Sequence, residues 1–234
     1  MAGVAVKRIQ CFQVGLHRLF PCLGTDVTSL VALRAQGLDP CAVDAVAVTH
    51  LHGDHFGGLP FLILDGQFSR RSAPLLVAGP PGIRTRLAEA METLFPGSGQ
   101  AHRRFPVEVT ELAVDGTPAG LGAATVRGWR VEHACGAPPL ALRVELGGVS
   151  FGYSGDTQWT PTLAEAAQGA DLFAVEAYTF DRPIRYHLDY RTLREHLGAI
   201  RAKRAVLTHM SADMLGRLVD TDQPAAYDGM IIDL

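Results

Sequence analysis

The sequence predicts a layered α/β sandwich, with two β-sheets packed face to face and helices covering their outer sides. Three observations carry this. Short apolar runs of strand length alternate with stretches of helical periodicity. Strands come first in each half of the chain and helices follow. The chain has 234 residues, 47% of them hydrophobic, which is enough for one well-buried core. A single domain over residues 1–234 is the economical expectation.

The elements follow in order. Residues 10–14 and 17–22 are candidate strands of an N-terminal hairpin. Residues 44–49, Asp-Ala-Val-Ala-Val-Thr, read as a buried strand that runs into a histidine cluster. Residues 74–78 are a second strand, ended by the turn Gly79-Pro-Pro-Gly82. Ile83, Leu87, Ala90, Met91 and Leu94 then recur at helical spacing over 83–95. Residues 107–114 and 123–133 alternate as strands do. Gly147-Gly148 between two β-rich runs signals a two-residue hairpin. A short helix over 161–168 starts near Pro161. Residues 171–177 are a buried strand and 190–202 an amphipathic helix. Residues 205–208 form a strand ending at His209.

Composition excludes some classes. The net charge of −3 argues against a general nucleic-acid binder. The longest apolar runs, such as residues 59–64, are too short to span a bilayer. No apolar stretch of a secretory signal follows Lys7 and Arg8. Cys11, Cys22, Cys41 and Cys135 form no CxxC pair and read as reduced thiols. A cytoplasmic protein with no membrane association is expected.

The chemistry starts at residues 49–59, Thr-His-Leu-His-Gly-Asp-His-Phe-Gly-Gly-Leu. His50 and His52 point the same way if the backbone stays extended, so they can share a metal. Asp54 and His55 lie where the chain turns and can aim at a second site. Gly53, Gly57 and Gly58 offer the freedom such a turn needs. Imidazole and carboxylate suit zinc, and also manganese or iron. Four metal-capable residues at this spacing are hard to read as incidental.

His-x-His-x-Asp-His, followed by further ligands at later strand ends, resembles the signature of the metallo-β-lactamase superfamily. The candidates here are His133, Asp156 in Tyr-Ser-Gly-Asp-Thr, and His209 in Val-Leu-Thr-His-Met-Ser. The resemblance covers roughly residues 40–215 and implies a four-layer αββα sandwich. It implies His50, His52 and His133 on one metal, Asp54, His55 and His209 on the other, and Asp156 bridging. It also implies two divalent ions, Zn2+ foremost with Mn2+ or Fe2+ as alternatives, that share a hydroxide for hydrolysis.

Residues 171–178, Asp-Leu-Phe-Ala-Val-Glu-Ala-Tyr, resemble the His-Glu-Ala-Thr segment of tRNase Z-type enzymes. Glu176 matches the glutamate, while Val175 replaces the histidine and Tyr178 the threonine. His187 matches a histidine that the glutamate orients in that branch, a sensible acid for an expelled alkoxide. Asp54, Glu176 and His187 are therefore the candidate catalytic residues. Two departures stand out. No long basic arm for tRNA interrupts residues 79–106, where His102, Arg103 and Arg104 make only a small basic spot. The N-terminal hairpin, residues 1–30, diverges from the family's Asp-x-Gly turn, with Asp26 out of register.

The expected substrate is thus a small phosphodiester, with tRNA disfavoured and a homodimer left open. A lactone, carboxyl ester or thioester competes, and Tyr153, Tyr178 and Tyr186 are its candidate oxyanion donors. A non-catalytic metal-binding module is the alternative of another class. Redox chemistry is disfavoured, because di-iron relatives usually carry a carboxylate where His52 stands.

Overall fold

The structure, a computed structural model, describes residues 13–14, 21–23, 28–227, 230–232 and 234. Cys11, His17, Asp26 and the turn after Leu23 lie outside the described residues.

One sheet is four-stranded and parallel: β2 (Pro21–Leu23), β3 (Ala45–Ala47), β4 (Leu75–Gly79) and β5 (Val107–Glu111), in that order. The other sheet has six strands. They are β6 (Ala119–Leu121), β7 (Ala124–Arg130), β8 (Leu140–Leu146), β9 (Val149–Tyr153), β10 (Leu172–Glu176) and β11 (Ala205–Thr208). Each is hydrogen-bonded to the next. The pairings up to β9 are antiparallel, and β9, β10 and β11 run parallel. A two-residue strand β1 (Gln13–Val14) pairs in parallel with β12 (Ile231–Ile232), so residues 13–14 face the C-terminal segment here.

Alternation along the strands builds the layers. Val46 and Val48 join an apolar cluster with residues of α1 (Ser29–Ala35), α3 (Gly58–Phe68) and α4 (Ile83–Leu94). Ala45 and Ala47 join another, with Leu142, Phe151, Tyr153, Leu172 and Ala174 of the second sheet. Phe173 and Val175, one step out of phase, pack with α5 (Thr162–Ala167), α6 (Tyr190–His196) and α7 (Ala212–Leu215). Small alanines on one inner face meet large side chains on the other. Three clusters between four layers make the αββα sandwich.

The Gly147-Gly148 turn bears out its signal. Both residues have positive φ, 58° and 85°, and Leu146 pairs with Val149. Several elements are shorter than the sequence suggests, among them β3, β5, β7 and α6. β7 stops at Arg130 because Glu132 N–H donates to the Thr157 hydroxyl at 3.1 Å instead of continuing a ladder. His133 therefore sits in a loop beyond the strand. The helix α6 ends at His196, just before Gly198, and i→i+3 turns take over at Ala199 and Ile200. Helix α3 has no counterpart in the sequence reading. Its Leu59, Pro60, Leu62, Ile63 and Gly66 are all buried, so no polar stripe marks a helical period.

Arg71 fastens the first sheet. It is 4% exposed and donates to the carbonyls of Ala73, Cys41, Val43 and Pro74 at 2.6–3.2 Å. Those carbonyls belong to the segments that lead into β3 and β4. Arg71→Met leaves four acceptors without their donor and should cost about 3 kcal/mol. A shift of the urea midpoint at constant m value reads this; an unchanged midpoint contradicts it.

Candidate metal centre

The site lies where strand C-termini converge. β9, β10 and β11 are parallel, and two antiparallel steps give β7 the same direction. Their ends deliver Asp156, Glu176, His209 and His133. β3 delivers His50 from the other sheet. The two sheets meet here, where Leu140 N–H donates to the Thr49 carbonyl at 2.9 Å. Crevices at strand C-termini are the usual place for ligands in α/β folds.

Local geometry aims each side chain. His52 keeps extended backbone (φ −73°, ψ 150°) and caps the one-turn helix α2 (Gly53–Phe56), which carries Asp54 and His55. The glycines act differently from the expected freedom of turn. Gly57 has ordinary φ, −65°, but a Cβ there would lie 2.4 Å from the Gly53 carbonyl oxygen. Gly155, just before Asp156, has φ 61°, and its Cβ would meet the Leu140 carbonyl at 2.9 Å. Two non-glycine residues with left-handed φ also sit here, His209 at 52° and Tyr186 at 70°. Such conformations persist when surrounding contacts hold them, and they cluster at functional sites.

The structure brings all the sequence-predicted ligands into two groups. His50, His52 and His133 place ligand atoms within 4.8 Å of one another, as do Asp54, His55, Asp156 and His209. Asp156 stands between the groups. Its carboxylate is 3.2 Å from His55 Nε2, 3.1 Å from His209 Nε2 and 4.0 Å from His50 Nε2. Asp54 is half-exposed and lies 3.7 Å from His55 Nε2.

These residues fit a cation. His50 Nε2, both His55 nitrogens, Asp156 Oδ1 and His209 Nε2 are buried with no hydrogen-bond partner. Buried polar atoms rarely stay so without a ligand. Burial, aided by repulsion from His55, pushes His50 down to about 2, so its imidazole is neutral with a free lone pair. Burial also lowers His133. The His209 imidazole, whose Nε2 lies 4.0 Å from the Asp54 carboxylate, holds Asp54 well below the carboxylate range. Burial opposes ionisation of Asp156, but the His55 and His209 charges outweigh it and lower its pKa. Burial likewise opposes protonation of His209, yet Asp156, Asp54 and Glu176 push it up to about 10. The acidic groups thus draw positive charge to this point, which is the charge a bound cation would supply in place of the proton.

Behind the ligands, Glu176 is fully buried and saturated. Its Oε1 accepts from His209 Nδ1 at 2.8 Å and His187 Nδ1 at 2.6 Å. Its Oε2 accepts from the Thr157 and Leu188 amides at 2.8 and 3.3 Å. One carboxylate therefore holds two imidazoles by their Nδ1 atoms and leaves His209 Nε2 facing Asp156 and Asp54. A third metal-capable group, Asp156, Glu176, His187 and His209, is better read as this hydrogen-bond network. The pairing of Glu176 with His187 matches expectation. Its hold on His209 was missed, as was the Tyr186 carbonyl, which His133 Nδ1 meets at 3.0 Å. Any residue type can offer a carbonyl, so sequence carries no signal for that contact. Thr49 Oγ1, 3.1 Å from His50 Nδ1, was visible as the residue before the cluster.

The tyrosines separate. Tyr153 is 1% exposed within the core between the sheets, which removes it as an oxyanion donor. Tyr178 stacks on His187, with ring centroids 4.5 Å apart. Tyr186 lies beside His133 under the Arg185 guanidinium.

Comparison with known proteins gives a family. The profile described as "Beta-lactamase superfamily domain" matches residues 24–210. A Ribonuclease Z of Mycobacterium marinum is 33% identical over 150 residues, covering 58% of this chain and 52% of that protein. The chain thus spans about half the length of that relative. The structure of human tRNase Z, short form, aligns at TM-score 0.72 and 22% identity, covering 90% of this chain and 86% of that one. A diphosphatase from the PhnP family aligns at 0.69 and 19%, covering 90% and 78%. At these identities the two structures speak to fold. No helix among the described residues is long and apolar enough to cross a membrane. This chain belongs to the beta-lactamase superfamily and has the metallo-β-lactamase fold.

Proposed function

We propose that the protein is a two-metal hydrolase of small phosphodiesters. The observation that carries this reading is the His187–Glu176 pair, 2.6 Å long, set beside the two ligand groups. His50, His52 and His133 would hold one ion. Asp54, His55 and His209 would hold the other, with Asp156 shared. Nitrogen and carboxylate donors in such sets favour Zn2+, with Mn2+ and Fe2+ as outcomes that metal analysis separates. When bound, the pair supplies a water of lowered pKa and neutralises charge at an anionic phosphorus centre.

The protein's own residues do the rest. Glu176 orients His187 through Nδ1, so His187 Nε2 is the atom that hands a proton to the departing alkoxide. His187 keeps 20% of its side chain exposed, enough to reach substrate. Asp54, half-exposed at the second group, would orient the attacking water.

A small molecule suits the site better than tRNA. Between β4 and β5 the chain folds as α4 and a short turn. Arg103 in the basic spot is engaged with the Ser98 carbonyl at 2.9 Å.

The test is hydrolysis of bis(p-nitrophenyl) phosphate and alkyl phosphodiesters after zinc or manganese loading. His187→Ala should lower kcat on alkyl diesters by about 100-fold or more with metal content unchanged. Lactone opening without turnover of any phosphodiester would sink the reading in favour of an acyl hydrolase. Metal below one ion per chain, with no activity, would favour a non-catalytic module.

A further inference from the structure

Tyr178 stands where the resemblance to tRNase Z-type enzymes places a threonine. The fold pins it. Its N–H donates to the Leu188 carbonyl and its carbonyl accepts from Ser211 N–H, both at 2.8 Å. One bond ties it to the loop that carries His187, the other to the segment after His209. Its ring lies over both imidazoles, 4.5 Å from His187 and 5.5 Å from His209, each at 28°. His133 approaches His187 edge-on at 5.0 Å. With Nδ1 on Glu176, His187 is walled by Tyr178 and His133, and its Nε2 looks into what space remains.

We propose that Tyr178 is a specificity-determining residue, whose ring limits the width of the leaving group that His187 serves. The inference rests on the phosphodiester reading above and deepens it. A phenol ring held in place beside the proton donor occupies volume that a threonine would leave to substrate. The substrate class is then a phosphodiester with a narrow leaving group, and broad aryl or polynucleotide leaving groups are excluded sterically.

The test compares two methyl phosphodiesters whose leaving phenols have similar acidity and different width, 4-nitrophenol and 4-methylumbelliferone. The wild-type protein should favour the nitrophenyl ester in kcat/KM by about tenfold or more. Tyr178→Thr should shrink that preference to about threefold or less, mainly through a lower KM for the wide ester. Tyr178→Phe should keep it, because the ring and not the hydroxyl acts. Tyr178→Leu, which keeps an apolar contact with His187, provides an intermediate if the threonine variant fails to fold. Equal kcat/KM values in the wild type overturn the proposal whatever the variants do. An unchanged preference in Tyr178→Thr, or its loss in Tyr178→Phe, also overturns it while leaving the phosphodiester reading intact. No turnover of either ester by the zinc- or manganese-loaded wild type removes that reading and the proposal together.

Discussion

Asp156→Ala is expected to lose metal from both ligand groups and nearly all hydrolytic activity. Asp156 is the side chain positioned to serve both groups, with one oxygen beside His55 and the other beside His209 and His50. It is 3% exposed, so no water path readily replaces its charge. Loss of an outer partner of a metal ligand typically costs about 10- to 100-fold. A shared ligand should cost more than that, in zinc affinity and in kcat/KM together. Asp156→Asn keeps the volume and one acceptor, so it should fall between. Metal per chain by elemental analysis, with rates on bis(p-nitrophenyl) phosphate, reads both. An alanine variant that still holds its full metal complement contradicts the shared placement.

Glu176→Gln should lower activity by about 100-fold or more although it removes no ligand. The carboxylate accepts four hydrogen bonds, two per oxygen. An amide can offer one acceptor end. Its NH2 would face either the Thr157 and Leu188 amides or the two imidazole Nδ1–H groups. Facing the backbone amides, donor meets donor in a fully buried position, which costs stability; facing the imidazoles, it forces both rings to accept at Nδ1 and turns an Nε2–H towards the site. His209 loses its orientation towards the second ligand group, and His187 loses the partner that fixes its tautomer. The signature distinguishing this from plain destabilisation is a joint fall in zinc affinity and kcat at a temperature where the variant remains folded. A folded variant with normal zinc affinity and normal kcat contradicts the double role.

Much of the fold was legible because the signals were local. Short apolar runs at residues 44–49 and 171–177 placed β3 and β10, and Gly147-Gly148 placed the β8–β9 turn. The candidate site was legible for the same reason. His50, His52, Asp54 and His55 sit close enough in sequence to be read as one unit, and Asp156 and His209 follow strands that patterning reveals. What escaped was set by contacts distant in sequence. Helix α3 is apolar on too many faces to show a period. Arg71 looked like one of many basic residues until the structure surrounded it with carbonyls. The Glu176–His209 bond joins residues 33 apart, and nothing in either neighbourhood announces it. His133 was found by its order among the motifs, yet it belongs to a loop whose course is decided by Thr157 and Tyr186.

Counting metal tests most directly whether these residues form two adjoining metal sites. The protein, stripped with chelator and reloaded with zinc, should bind two ions per chain by elemental analysis. His133→Ala should reduce that to about one by weakening only the first group. A saturated stoichiometry of one ion per chain in the wild-type protein, unchanged in His133→Ala, would contradict the account.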